Sequence, residues 1–214
     1  MKFKTSLTYA GLALLAIAAG LSLSILVFKR HAPAPRPQTE ALLLHDAKSL
    51  PDFALKDSDG QPFTKSSLLG HWSLLYFGYT HCPDVCPTTL AGLDHVLAEL
   101  DHTPRLPKPT VYFISVDPKR DDLTLLKNYT TYFDAGFIGA TGDEDALHAL
   151  TVPLGVDYSY GKPDAKGDYA VNHSTFVVLV DREGRQVAMF TPPIDAKAVS
   201  SDYQNILKYY GETW

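Results

Sequence analysis

The sequence predicts an α/β domain: one sheet with helices on both faces, carried behind a single apolar span. Three observations predict it. Strand-like apolar runs alternate with segments whose apolar residues recur at helical spacing. Two hairpin signatures bracket the series, Asp57-Ser58-Asp59-Gly60 early and Asp181-Arg182-Glu183-Gly184 late. The chain's two cysteines, Cys82 and Cys86, fall in one loop between an aromatic strand and a helix. In an open α/β sheet, that carboxyl-end position is where ligand sites belong.

Taken in order, residues 1–6 form a short flank, and Leu7 to Phe28 runs without a charge between Lys4 and Lys29. This stretch is long enough to cross a hydrocarbon core of about 30 Å as one helix. Ala16-Ile17-Ala18 offers a signal-peptide cleavage site as the rival reading. Leu21, Leu23, Ile25, Leu26 and Val27 continue the apolar run beyond it, which suits a retained transmembrane anchor. Lys2 and Lys4 on one side nearly balance Lys29, Arg30 and Arg36 on the other, so flanking charge does not set the orientation. Residues 29–45 read as a Pro-rich linker, with His31 to Pro37 a semi-rigid polyproline spacer. The domain proper is assigned to 46–214.

Within it, Phe53–Leu55 and Gln61–Thr64 form the first hairpin, and Ser73–Tyr79 a strand. A helix runs from Pro87 to about Asp101 with Leu90, Leu93, Leu97 and Leu100 on one face. Thr110–Val116 is a strand, followed by a helix from Asp121 carrying Leu125, Leu126, Tyr129, Tyr132 and Phe133. Phe137–Ala140 is a short strand and Glu144–Leu150 a brief helix. A loop rich in Gly, Pro and Asp extends from Pro153 through Gly167-Asp168. Thr175–Val180 and Gln186–Phe190 make the second hairpin, and a closing helix presents Val199, Tyr203, Ile206 and Tyr210.

Charge narrows the partners. Residues 37–214 carry 14 Lys and Arg against 24 Asp and Glu. An acidic domain argues against nucleic acid and against docking flat on anionic lipid. It suits a cationic partner or a metal ion.

Pro87 follows Cys86 directly, and proline belongs in a first helical turn, so Cys86 is expected at or beside the N-cap. The positive end of the helix dipole then lowers a thiol pKa and populates the thiolate, the form that binds metal or attacks a disulfide. Three residues separate the cysteines, room for a disulfide or for a metal between the sulfurs. Two sulfurs select a soft ion such as Cu(I), and an added imidazole extends the site to Cu(II) or zinc. A structural zinc site wants four protein ligands. The plain alternative is a structural disulfide or two inert buried thiols.

The run Tyr76-Phe77-Gly78-Tyr79-Thr80-His81-Cys82-Pro83-Asp84-Val85-Cys86-Pro87 resembles the signature of the Sco/SenC proteins, a membrane-tethered branch of the thioredoxin-like fold. The resemblance extends to Pro51–Leu55 with Asp59-Gly60, to Ser115–Asp121 and to Val171-Asn172-His173-Ser174. It implies a thioredoxin-like fold with an N-terminal β-hairpin extension and a loop insertion before the final hairpin. It also implies a copper protein that assists assembly of the copper centre of cytochrome c oxidase, with Cys82, Cys86 and His173 as ligands. The implied partners are the copper-receiving oxidase subunit and a copper-donating chaperone. Many members carry an acidic residue where this chain has Asn172, which puts copper affinity and redox tuning in question.

His173 also ends the Gly/Pro/Asp loop and precedes an apolar strand, where thioredoxin relatives place a cis-proline facing the thiols. His81 adjoins Cys82 and competes as third ligand, but neighbouring residues rarely converge on one ion; it is assigned a supporting or exposed place. Asp84 and Asp117 are candidates for groups near the metal, against plain readings as a turn residue and a helix cap. The other histidines lack ligand spacing, and Met189 reads as core.

Two functions compete. In one the domain is a metallochaperone; in the other the same thiols act as a thiol–disulfide reductase that keeps a target's cysteines reduced. A peroxidase is disfavoured, because the positions seven and three before each cysteine do not hold proline and threonine. The flank of residues 1–6 carries no Arg/Ser-rich transit segment. The expected location is therefore a bacterial inner membrane, with the domain in the periplasm.

Overall fold

The computed structural model describes residues 36–212, together with Ile17, Gly20, Leu21 and Ser24. The chain divides into two units, residues 1–36 and 37–214. Apart from those four positions, which lie in helical backbone, the span expected over 7–28 is outside the described residues. Among the described residues no helix is long and apolar enough to cross a membrane.

The second unit is built on one eight-stranded sheet, ordered β1-β10-β9-β4-β5-β6-β2-β3. Its strands are β1 Leu42–Ser49, β2 Ala54–Asp57, β3 Pro62–Thr64, β4 Ser73–Gly78, β5 Thr110–Ser115, β6 Ile138–Thr141, β9 Val177–Val180 and β10 Arg185–Phe190. A separate ribbon pairs β7 Tyr158–Tyr160 with β8 Val171–His173. The helices are α1 Val85–Leu100, α2 Leu123–Phe133, α3 Glu144–Leu154 and α4 Ala196–Tyr209.

Strands β4, β5 and β6 run parallel. Right-handed crossovers in one direction place α1 and α2 on the same face, where α4 packs against α1. Central β4 is buried at every residue, as its unbroken apolar run requires. The two hairpins are sealed alike: the carboxylates of Asp57 and Asp181 each accept from the N–H groups two and four residues on.

Several boundaries differ from the sequence reading. Leu42–His45, assigned to the linker, belong to edge strand β1, where Leu42 and Leu43 pair with Met189 and Ala188 of β10 before the register shifts. The loop after Pro153 contains β7 and β8. Helix α3 runs on to Leu154, because Pro153 falls in the last turn and Gly155, at φ +72°, caps the end in the left-handed region. Helix α1 opens at Val85, with Asp84 at the N-cap and Pro87 inside the first turn, where no N–H is missed. Strand β9 starts at Val177, and Tyr210 caps α4 rather than extending it.

Candidate metal centre

Strand β4 delivers the chain to Gly78, and the loop 79–84 carries Cys82 to the mouth of α1. A carboxylate at the N-cap usually accepts from the first turn, but Asp84 makes no such bond. The sulfur of Cys82 takes that role and accepts from the Cys86 N–H at 3.4 Å. Cys86 itself is the second residue of the helix and is fully buried, whereas Cys82 is 8% exposed. Both thiols are free.

His173 closes the arrangement from β8. Its Nε2 lies 3.4 Å from the Cys86 sulfur, and its Nδ1 lies 2.9 Å from the Ser174 carbonyl. A carbonyl only accepts, so Nδ1 carries the ring proton and Nε2 presents its lone pair to the sulfurs. The two sulfurs and the ring nitrogen all lie within 4.8 Å of one another. Bonds of roughly 2.0–2.3 Å to one ion would set three donors roughly 3.5–4 Å apart, within reach of small side-chain rotations. The rings of Tyr76 and Tyr79 stand edge-on to the imidazole, with centroids at 6.4 and 5.9 Å.

The two thiols differ electrostatically. Hydrogen bonding from the Cys86 thiol, aided by the Asp84 and Cys86 N–H groups against the opposing effect of burial, brings Cys82 down to about 5. Donation to that sulfur, together with burial, pushes Cys86 up. The first proton therefore leaves Cys82 and the second stays on Cys86.

The loop is held from beneath by Asp121, a fully buried carboxylate. It accepts from the Thr80 N–H at 2.9 Å, the Thr80 hydroxyl at 2.6 Å and the Ser115 hydroxyl at 2.6 Å. Outside the sulfurs an open depression of about 380 Å³ is lined by Cys82, Pro83, Asp84, Asn172 and His173 among others.

The structure thus brings together all three residues marked from the sequence as ligands, and no others join them among the described residues. His81 turns its Nδ1 to the Thr80 hydroxyl at 3.0 Å and toward Asp121, away from the sulfurs. Asp84 lines the mouth. Asp117 is not the cap of the following helix: Asp122 caps α2 by accepting from the Leu125 N–H. Buried Asp117 instead binds Arg120 Nε at 2.5 Å and the Tyr169 hydroxyl at 2.8 Å. Asn172 does not orient the imidazole; the Ser174 carbonyl does. Sequence reasoning missed Asp121 and Gly78, and the only available signal was their place next to the cysteine loop and the β5 exit.

The SCO1/SenC family model matches residues 44–208. The zebrafish (Danio rerio) mitochondrial SCO2 homologue is 38% identical over 159 residues, which are 74% of this chain and 57% of that protein. The mouse homologue is matched over 52% of its length, so the chain spans little more than half of these relatives. Among solved structures, Bradyrhizobium japonicum ScoI with copper bound is 35% identical at a TM-score of 0.65. The match covers 73% of this chain and 98% of that one. Arabidopsis thaliana ScoI with copper bound is 30% identical at a TM-score of 0.70, over 75% and 99% respectively. With a family match that runs over residues 44–208 and takes in Cys82, Cys86 and His173, the chain belongs to the SCO1/SenC family.

Proposed function

We propose that this protein is a copper metallochaperone that holds one copper ion through Cys82, Cys86 and His173 and passes it to the copper-receiving subunit of cytochrome c oxidase. The observation that carries this reading is the convergence of two sulfurs and one imidazole nitrogen within 4.8 Å at the end of a central strand. The donor set suits the cargo: thiolates favour Cu(I), and the added imidazole accommodates Cu(II). Copper-bound relatives at 30% and 35% identity support the same choice.

The chain's own residues do the handling. Cys82 meets the ion already as thiolate, and Cys86 gives up its proton on binding. Ser174 keeps the imidazole turned so that Nε2 faces inward. The depression beside Cys82 lets a partner's ligand approach while Cys86 remains covered. The apolar stretch over 7–28 would tether this domain to the inner membrane, with the domain in the periplasm and a copper-donating chaperone loading it.

Copper titration of wild type against Cys82→Ser, Cys86→Ser and His173→Ala tests the reading. Weaker Cu(II) binding in all three is expected, and binding unchanged by His173→Ala would remove the third ligand. A second reading, a thiol–disulfide reductase, draws on the low pKa of Cys82 beside a free partner thiol. Failure of the reduced protein to exchange with any protein disulfide would exclude it.

A further inference from the structure

We propose that Glu144 is a positioning residue for the metal centre, setting the place of the His173 imidazole by clamping the strand opposite it. The inference rests on the three-donor reading above and extends it to a residue outside the donor set.

His173 sits on β8, which pairs with β7 in the register Tyr158↔His173, Ser159↔Asn172 and Tyr160↔Val171. This ribbon stands apart from the eight-stranded sheet. A lone two-stranded ribbon is marginally stable, so something else must fix it. Tyr158 and Tyr160 lie two apart and project from one face of β7. Both hydroxyls reach the same carboxylate: Tyr158 donates to Glu144 Oε2 at 2.7 Å and Tyr160 to Oε1 at 2.5 Å. The Tyr160 hydroxyl also lies 2.8 Å from the Val116 carbonyl, so its single hydrogen is shared between two acceptors. Burial, and after it Glu144, raises both phenols, which keeps them protonated as donors.

The carboxylate is itself well anchored. Glu144 is the first residue of α3, whose N-terminus is capped by Asp143 through the Ala146 N–H at 2.9 Å. Leu147, Leu150 and Leu154 bury the same helix in the core. Placement therefore runs from a core helix through one carboxylate and two phenols to β7, and across the ladder to the ring. Charge-assisted bonds on both oxygens give the clamp direction as well as strength. A glutamine would offer one acceptor oxygen for two phenols.

The test compares wild type, Glu144→Ala, the double variant Tyr158→Phe/Tyr160→Phe, and the control Asp145→Asn. The control removes a neighbouring first-turn charge without touching the phenols. Cu(II) and Cu(I) affinities are measured on the full chain, together with amide exchange at residues 171–174 in the metal-free protein. Loss of either side of the clamp should weaken Cu(II) binding about 10–100-fold. Cu(I), which two thiolates hold on their own, should change far less, and exchange at His173 should accelerate. In a His173→Ala background, Glu144→Ala should cost no further Cu(II) affinity. Wild-type Cu(II) binding in Glu144→Ala, or a penalty that adds in full to that of His173→Ala, overturns the proposal. Should Glu144→Ala fail to fold, the double phenylalanine variant, which keeps the rings and the helix charge, decides the same question. The parent reading fails separately, if His173→Ala alone leaves Cu(II) binding intact.

Discussion

A methyl group placed on Gly78 would lie 2.7 Å from the Cys86 sulfur and 2.9 Å from the Phe113 ring. The last residue of β4 must therefore lack a side chain for Cys86 to reach its position. Gly78→Ala should destabilise the fold by about 1–3 kcal/mol through overpacking. It should also displace the sulfur and weaken Cu(I) binding. Denaturant unfolding and a competition titration with a Cu(I) chelator check the two effects. Wild-type affinity in a folded variant would show that the sulfur has room to move.

The two thiols should titrate far apart. Cys82 is lowered to about 5, so one thiolate should appear near that pH by ultraviolet absorbance, with the second absent until the alkaline range. The sign for stability follows from proton counts. Between pH 5 and the unfolded thiol value of about 8.5, the unfolded chain binds more protons at Cys82, so stability rises with pH. Above that value the raised Cys86 keeps a proton that the unfolded chain loses, and stability falls again. Unfolding across this range should show the rise and the fall, and Cys82→Ser should remove the rise. Metal uptake at pH 7 should release about one proton rather than two, because only Cys86 remains protonated. Calorimetry in buffers of different ionisation enthalpy reads that number directly. Release of two protons would contradict the assigned order.

Asp121 joins the cysteine loop to the exit of β5. Asp121→Ala leaves the buried Ser115 hydroxyl and the Thr80 N–H without their acceptor. Bonds to a charged acceptor contribute roughly 1.5–3 kcal/mol each, and here they are partly redundant, so a loss of about 3 kcal/mol is expected. Copper affinity should fall with it, since Thr80 lies two residues before Cys82. A thermal shift without any change in copper affinity would confine Asp121 to a purely structural role.

How far the sequence revealed this site depends on how local each signal is. Cys82 and Cys86 announce themselves through their spacing, the bracketing prolines and the strand ahead of them, all within a dozen residues. His173 was found through the resemblance and its place at the end of a loop. The ribbon that carries it was hidden, because three-residue strands inside a Gly/Pro/Asp-rich segment have no periodicity to read. Strand β1 was hidden for a different reason. An edge strand with most residues exposed or half-buried shows no clean alternation, and Leu42-Leu43-Leu44 breaks what pattern there is. Asp117, Asp121 and Asp122 are chemically identical within six residues. Only the fold decides that one binds Arg120, one holds the loop and one caps α2.

The last expectation concerns Asn172, the residue before His173. A carboxylate next to a ligand histidine matters most when it accepts from the far ring nitrogen. In this protein Nδ1 is already committed to the Ser174 carbonyl at 2.9 Å, and the Asn172 side chain is exposed beside the mouth. Asn172→Asp would place a charge near the centre without changing which group orients the ring. Through-space attraction at a solvated position is worth about 1 kcal/mol or less. Cu(II) affinity should therefore rise less than about tenfold, and the gain should shrink as salt is added. Titration of the variant at low and high ionic strength measures both. A larger gain that persists in salt would mean that the new carboxylate displaces Ser174 as the partner of Nδ1, and that the imidazole is held less firmly than its backbone bond implies.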